Sequence, residues 1–172
     1  IQFLLQDLLY DMSQTMIPFD DVDKEFLIVP HKWDTSDLRR FMNIMGVVAS
    51  SIDIVAFIGF YYLLGFDANH AVMFQTAWFI TSLITELMII YNVRTSKHIY
   101  EKSNISPVLA GLTIFSGILT IITPLVMHKI TSFHFKILPF NFYIYLILLL
   151  VLYFTIVSIV KRIYIKKNHE WL

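Results

Sequence analysis

The sequence contains no cysteine, which excludes disulfides and thiolate metal sites and leaves no trace of the redox state of its compartment. Charge is scarce as well. Only 15% of the 172 residues are charged, where a soluble domain carries about a quarter. Acidic and basic residues cancel to a formal net charge of +0, so nucleic acid and acidic partners gain no electrostatic support. What fills the chain instead is apolar: 57% of residues are hydrophobic and 16% aromatic. They come in unbroken runs rather than periodic stripes.

Four of these runs, 41–64, 71–93, 107–127 and 138–160, are long enough to cross a bilayer, which takes roughly 20 residues at ~1.5 Å rise each. A first apolar segment, 1–19, carries Asp7 and Asp11 and meets Pro18, which lacks a backbone donor and disfavours further helix. It has no basic leader and no small-residue cleavage site, so it does not read as a signal peptide. Opening on Ile1, it is expected to be the remainder of a helix begun upstream. The expected fold is all-α: an integral membrane bundle of about five transmembrane helices. Segment 20–40 is the one sizeable polar loop, and no internal repeat is visible.

Orientation follows from the basic residues. Of the 13 lysines and arginines, all but Lys129 and Lys136 fall on one side when the spans alternate. They occupy loop 20–40, the connection 94–106 (Arg94, Lys97, Lys102) and the tail 161–172 (Lys161, Arg162, Lys166, Lys167). The positive-inside rule places these three segments in the cytoplasm.

Acids lie where lipid should be. Asp7, Asp11, Asp53 and Glu86 fall within spans, and no lysine or arginine falls there to pair with them. Such groups cost a few kcal/mol or more at mid-bilayer depth and mark an ion path or a paired interior site. Asp7, Asp11 and Gln14 are spaced to share one helix face, expected to point towards the second and third spans. By helix rise, Asp11 and Glu86 lie ~11 Å in from the basic ends, and Asp7 and Asp53 ~17 Å in. Asp53 continues a stripe of Asn43, Gly46 and Ser50, which would admit a close neighbouring helix. Clustered carboxylates without a counter-cation suit hard cations such as Mg²⁺ and Ca²⁺. The bland alternative is a protonated, hydrogen-bonded acid within the bundle, and it is strongest for Asp53 alone. Asp20, Asp21, Asp23 and Glu25 read as a solvated acidic loop, Asp67 as a solvated edge, and the six histidines share no ligand spacing.

These residues also carry a resemblance. The run Leu8-Leu9-Tyr10-Asp11-Met12-Ser13-Gln14, with Asp23-Lys24-Glu25-Phe26 and Lys32-Trp33-Asp34 after it, resembles the sixth transmembrane helix and following loop of bacterial magnesium-importing P-type ATPases. Ser50-Ser51-Ile52-Asp53, Phe74-Gln75-Thr76-Ala77-Trp78-Phe79 and Arg94-Thr95 are similar to the seventh and eighth helices of that family. Lys161-Arg162-Ile163-Tyr164-Ile165-Lys166 matches its end. The resemblance implies helices six to ten of a ten-helix pump in the cell membrane, multi-pass, with a cytoplasmic C-terminus. It implies a divalent cation, Mg²⁺ first, as cargo, with Asp11 as the sixth-helix ligand. Asp7 stands where relatives commonly have Asn, and Glu86 where magnesium importers more often have Gln and calcium pumps Glu. Asp7, Asp11, Glu86, Asp53 and Gln14 are therefore the candidate metal ligands.

No Asp-Lys-Thr-Gly phosphorylation motif, Thr-Gly-Glu motif or nucleotide site is present, so ATP and its Mg²⁺ would be used by cytoplasmic domains outside this chain. Those domains, the remaining pump helices and the bilayer are the implied partners; nucleic acid is not. Loop 20–40 would couple the phosphorylated domain to the membrane. Other readings are a non-enzymatic bundle (a channel, accessory subunit or truncated gene product) and a pump for Ca²⁺ or another divalent cation. The orientation is checkable with reporters placed in 20–40, in 94–106 and at the C-terminus. All three should be reached from the same side of sealed vesicles; a C-terminus opposite 20–40 overturns the topology.

Overall fold

The computed structural model describes residues 1–15, 17–21, 35–94 and 105–168. They form helices and connecting turns, with no strand among the described residues. Helix α1 spans Gln2–Gln14 and is followed by a 3-10 turn, Ile17–Phe19, built around Pro18. Helix α2 spans Thr35–Ile58 and runs into a π-helical turn, Gly59–Leu63. Helices α3 (Ala71–Val93), α4 (Pro107–Met127) and α5 (Phe140–Asn168) complete the bundle. Four of the five, α2 to α5, are long and apolar enough to cross a membrane.

The observed bounds of α3 and α4 coincide with the expected runs, while the ends of α1, α2 and α5 differ. Helix α1 stops at Gln14 rather than Phe19, because the ring of Pro18 and its missing N–H suit a 3-10 turn. Helix α5 continues through Lys161 and Arg162 to Asn168, so most of the expected tail is helical. Helix α2 begins at Thr35, inside the expected loop, whose residues 22–34 lie outside the described ones.

Helix α3 is the centre. Its apolar window is 56% buried against 22% to 28% for the other three spans, and it packs on α1, α4 and α5. Small residues make this possible: Thr76, Ala77, Thr81 and Ser82 are all buried on it and let neighbouring backbones come close. Helix α2 packs on α5 and meets α3 through its π turn. The outward faces of α2, α4 and α5 carry exposed large residues such as Val47, Ile54, Ile114, Phe115, Ile147 and Leu148, as a lipid-facing surface requires.

Polar bonds tie the helix ends together on the basic side. The Asp20 carboxylate, just past α1, accepts from Arg94 Nε at 2.6 Å and from the Ser106 backbone N–H at 2.9 Å. One buried ion pair thereby joins the exit of α1, the end of α3 and the start of α4. From α5, buried Lys161 donates through Nζ to the Asn92 carbonyl at 2.9 Å. Two cations thus sit at the C-terminal end of α3, where the helix dipole favours them. On the opposite side, Asp67 caps a 3-10 turn and accepts from Asn69 N–H and the His70 ring. The His70 hydrogen bond holds its carboxyl below the usual carboxylate range.

The π turn has a specific neighbour. Tyr145 of α5 donates its hydroxyl to the Val55 carbonyl at 2.9 Å, and its ring lies directly over Gly59. A methyl group at Gly59 would overlap that ring, so the close approach of α2 and α5 depends on glycine. Two effects of Gly59→Ala oppose each other. Helix propensity alone favours alanine by about 1 kcal/mol, whereas overpacking costs ~1–3 kcal/mol. Packing should win, giving a lower thermal midpoint in detergent than wild type and lower than Tyr145→Phe, which loses one hydrogen bond worth about 1 kcal/mol. A midpoint raised by Gly59→Ala contradicts the close contact.

Candidate cation site

Of the acids in the spans, Glu86 stands where α3 meets α1. Glu86, half-buried on α3, accepts a hydrogen bond from Gln6 Nε2 of α1, with Oε1 at 3.1 Å. Asp7 of α1 and Asp53 of α2 both lie within electrostatic reach of Glu86. Three helices thus direct carboxylates to one region. Asp7 and Asp53 act on Glu86, and Glu86 and Asp11 both act on Tyr10.

Asp11 sits one turn further along α1. Its charge reaches the Tyr10 phenol, as does that of Glu86, and the Gln14 side chain engages the same phenol. Tyr153 of α5, buried in the bundle, lies within electrostatic reach of Asp53 and Tyr10. Both phenols are thus reached by the charges of the acids. Sequence reasoning did not single out either one; Tyr10 could have been found from its place four residues before Gln14, whereas Tyr153 gives no local signal.

Exposure corrects one expectation. Asp7 and Asp11 do share a face of α1 with Gln14, but both are exposed, and the face that α1 buries against α3 and α4 carries Gln6, Leu9 and Ser13. A helix of 13 residues buries one narrow stripe, and here Ser13 and Gln6 let it lie close to its neighbours. The stripe on α2 behaves similarly: Asn43, Gly46 and Ser50 are exposed, and a Cβ on Gly46 would meet nothing within 4 Å. Among the described residues no three acids or histidines converge closely enough to hold a metal ion.

Between α1, α3 and the α4–α5 connection lies a mostly apolar cleft of about 460 Å³, lined by Phe3, Trp78, Phe79 and Phe133 with Gln2 and Gln6 among its polar residues and with none of the acids. Gln2 closes its far end, donating from Nε2 to the carbonyls of Phe133 and His134 at 3.0 and 2.9 Å. His134 adopts a left-handed backbone conformation, φ 53°, that turns both carbonyls towards α1.

Comparison with known proteins matches residues 1–163 to the family described as "Cation transporting ATPase, C-terminus". The chain is 34% identical over 177 residues to a Salmonella typhimurium protein named "Magnesium-transporting ATPase, P-type 1". It is 32% identical over 175 residues to the Escherichia coli protein of the same name. In both cases the alignment covers 99% of this chain and 19% of the relative, so the chain spans about a fifth of their length.

Proposed function

The chain belongs to the family of cation-transporting ATPase C-terminal regions, and from that premise we propose that it forms one side of the ion path of an ATP-driven divalent cation pump. Mg²⁺ is the proposed cargo, on the strength of the relatives' name. The observation that carries the reading is the acidic wall around Glu86, which the charges of Asp7 and Asp53 reach, with Asp11 one turn along α1 from Asp7. Arg39 and Arg40 lie in the first turns of α2, Arg94 caps α3, and Lys161 of α5 reaches the Asn92 carbonyl at that same end of α3. An acidic wall of this kind in a low-dielectric setting is stabilised by a bound cation.

The roles divide by position. Asp11 and Glu86 supply charged oxygens, Asp7 and Asp53 add charge to the same region, and Gln14 holds Tyr10 beside them. Asp7 and Asp11 are exposed in this chain, open to the place where further helices of the pump would close the site. Mg²⁺ keeps much of its water and takes one or two carboxylates, so a half-site of this kind suits it. ATP hydrolysis would be the work of cytoplasmic domains outside this chain, reaching the membrane through segment 20–40. In this topology the basic ends and the C-terminus are cytoplasmic.

Ca²⁺ is the second reading, favoured by one observation. Asp7 and Glu86 give this region more negative charge than a site built on Asp11 alone, and Ca²⁺ accepts six to eight oxygens in a looser cage. The decisive substitution is Asp11→Asn in the uninterrupted pump. It should abolish Mg²⁺-stimulated ATPase activity while leaving membrane expression and detergent stability as in wild type. Wild-type activity in that variant removes Asp11 from the site.

A further inference from the structure

Gln6 is a neutral residue, 7% exposed, in a stretch otherwise notable for its acids. Its amide has two ends with opposite chemistry. The end that meets Glu86 at 3.1 Å is the N–H₂, which donates to Oε1. That orientation leaves Gln6 Oε1 pointing elsewhere, with no donor to it among the described residues. The side chain also lines the 460 Å³ cleft.

We propose that Gln6 is a positioning residue of the cation site: its N–H, at 3.1 Å, fixes the aim of the Glu86 carboxylate. The inference rests on the pump reading above and adds a residue to it. Its physical content is that affinity for Mg²⁺ is set by the α1–α3 pair and not by the acids of α1 alone. Outer groups that orient a ligand are worth about 10- to 100-fold in metal affinity. Turnover, which depends on phosphorylation elsewhere, should hardly change.

The test uses the uninterrupted pump in native-like membranes, titrated with Mg²⁺ in an ATPase assay. Gln6→Leu removes both ends of the amide at similar volume; it should raise KM for Mg²⁺ by about tenfold or more and leave kcat near wild type. Gln6→Glu removes the donor and sets two carboxylates against each other, and it should be impaired similarly. The exchange Gln6→Glu with Glu86→Gln restores an amide–carboxylate pair with its members swapped, and should recover most of the lost affinity. A purely structural role for Gln6 predicts loss of stability and kcat instead, without recovery by the exchange. Unchanged KM in Gln6→Leu, or an exchange no better than Gln6→Glu, overturns the inference. If Gln6→Leu does not accumulate, the exchange variant decides alone. A wild-type pump with no Mg²⁺-stimulated turnover overturns the pump reading and this inference together, which distinguishes the two failures.

Discussion

A carboxylate placed among helices in hydrocarbon has few ways to remain there. Lipid donates no hydrogen bonds, and the low dielectric makes an uncompensated charge cost several kcal/mol. The arrangement around Glu86 answers that constraint with one neutral donor, the Gln6 amide, rather than with a lysine or arginine. The difference would matter for the proposed ion path. A cationic partner would neutralise the carboxylate permanently and compete with any incoming ion, whereas an amide orients it and leaves its charge in place. Asp7 and Asp53, within reach of the same group, sharpen the requirement for a positive charge to arrive from outside.

The rest of the fold can be understood as holding α1 and α3 at the spacing this bond requires. At the basic end, the Asp20–Arg94 pair with Ser106 fixes where α1 leaves the membrane relative to α3 and α4. Both partners are nearly buried, at 8% and 12% side-chain exposure. Breaking such a pair costs more than making it gains, since one charge is left stranded. At the other end, Gln2 clasps the α4–α5 connection through two backbone carbonyls. Helix α1 is thus anchored above and below the Gln6–Glu86 bond. Helix α2, carrying Asp53, is held more loosely, by α5 and by the π turn that Tyr145 overlies at Gly59.

Legibility in the sequence followed the physics of each feature. Helices α3 and α4 could be bounded because their apolar runs end abruptly in polar or proline-bearing segments, His70 and Arg94 for one, Ser106-Pro107 and His128 for the other. Helix α5 could not be, because Lys161 and Arg162 look like a tail. In the structure Lys161 is buried against the end of α3 and the helix continues past it. The acids were visible as unpaired charges in apolar runs, yet their facing was not. Helical spacing says which residues share a face and is silent on what covers it, so Asp7 and Asp11 were expected inward and are exposed. Gln6 was invisible for a simpler reason. A neutral amide in a helix breaks no rule of composition, and its partner lies eighty positions away.

A count of bound ions would address the cation wall most directly. Mn²⁺ can stand in for Mg²⁺ with the nucleotide-free, uninterrupted pump, and electron paramagnetic resonance gives the number of ions bound per polypeptide. The triple variant Asp7→Asn, Asp11→Asn, Glu86→Gln should bind fewer ions than wild type at the same free Mn²⁺, with the cytoplasmic domains unaltered. Equal stoichiometry and affinity in the two proteins would contradict a cation site built on these carboxylates.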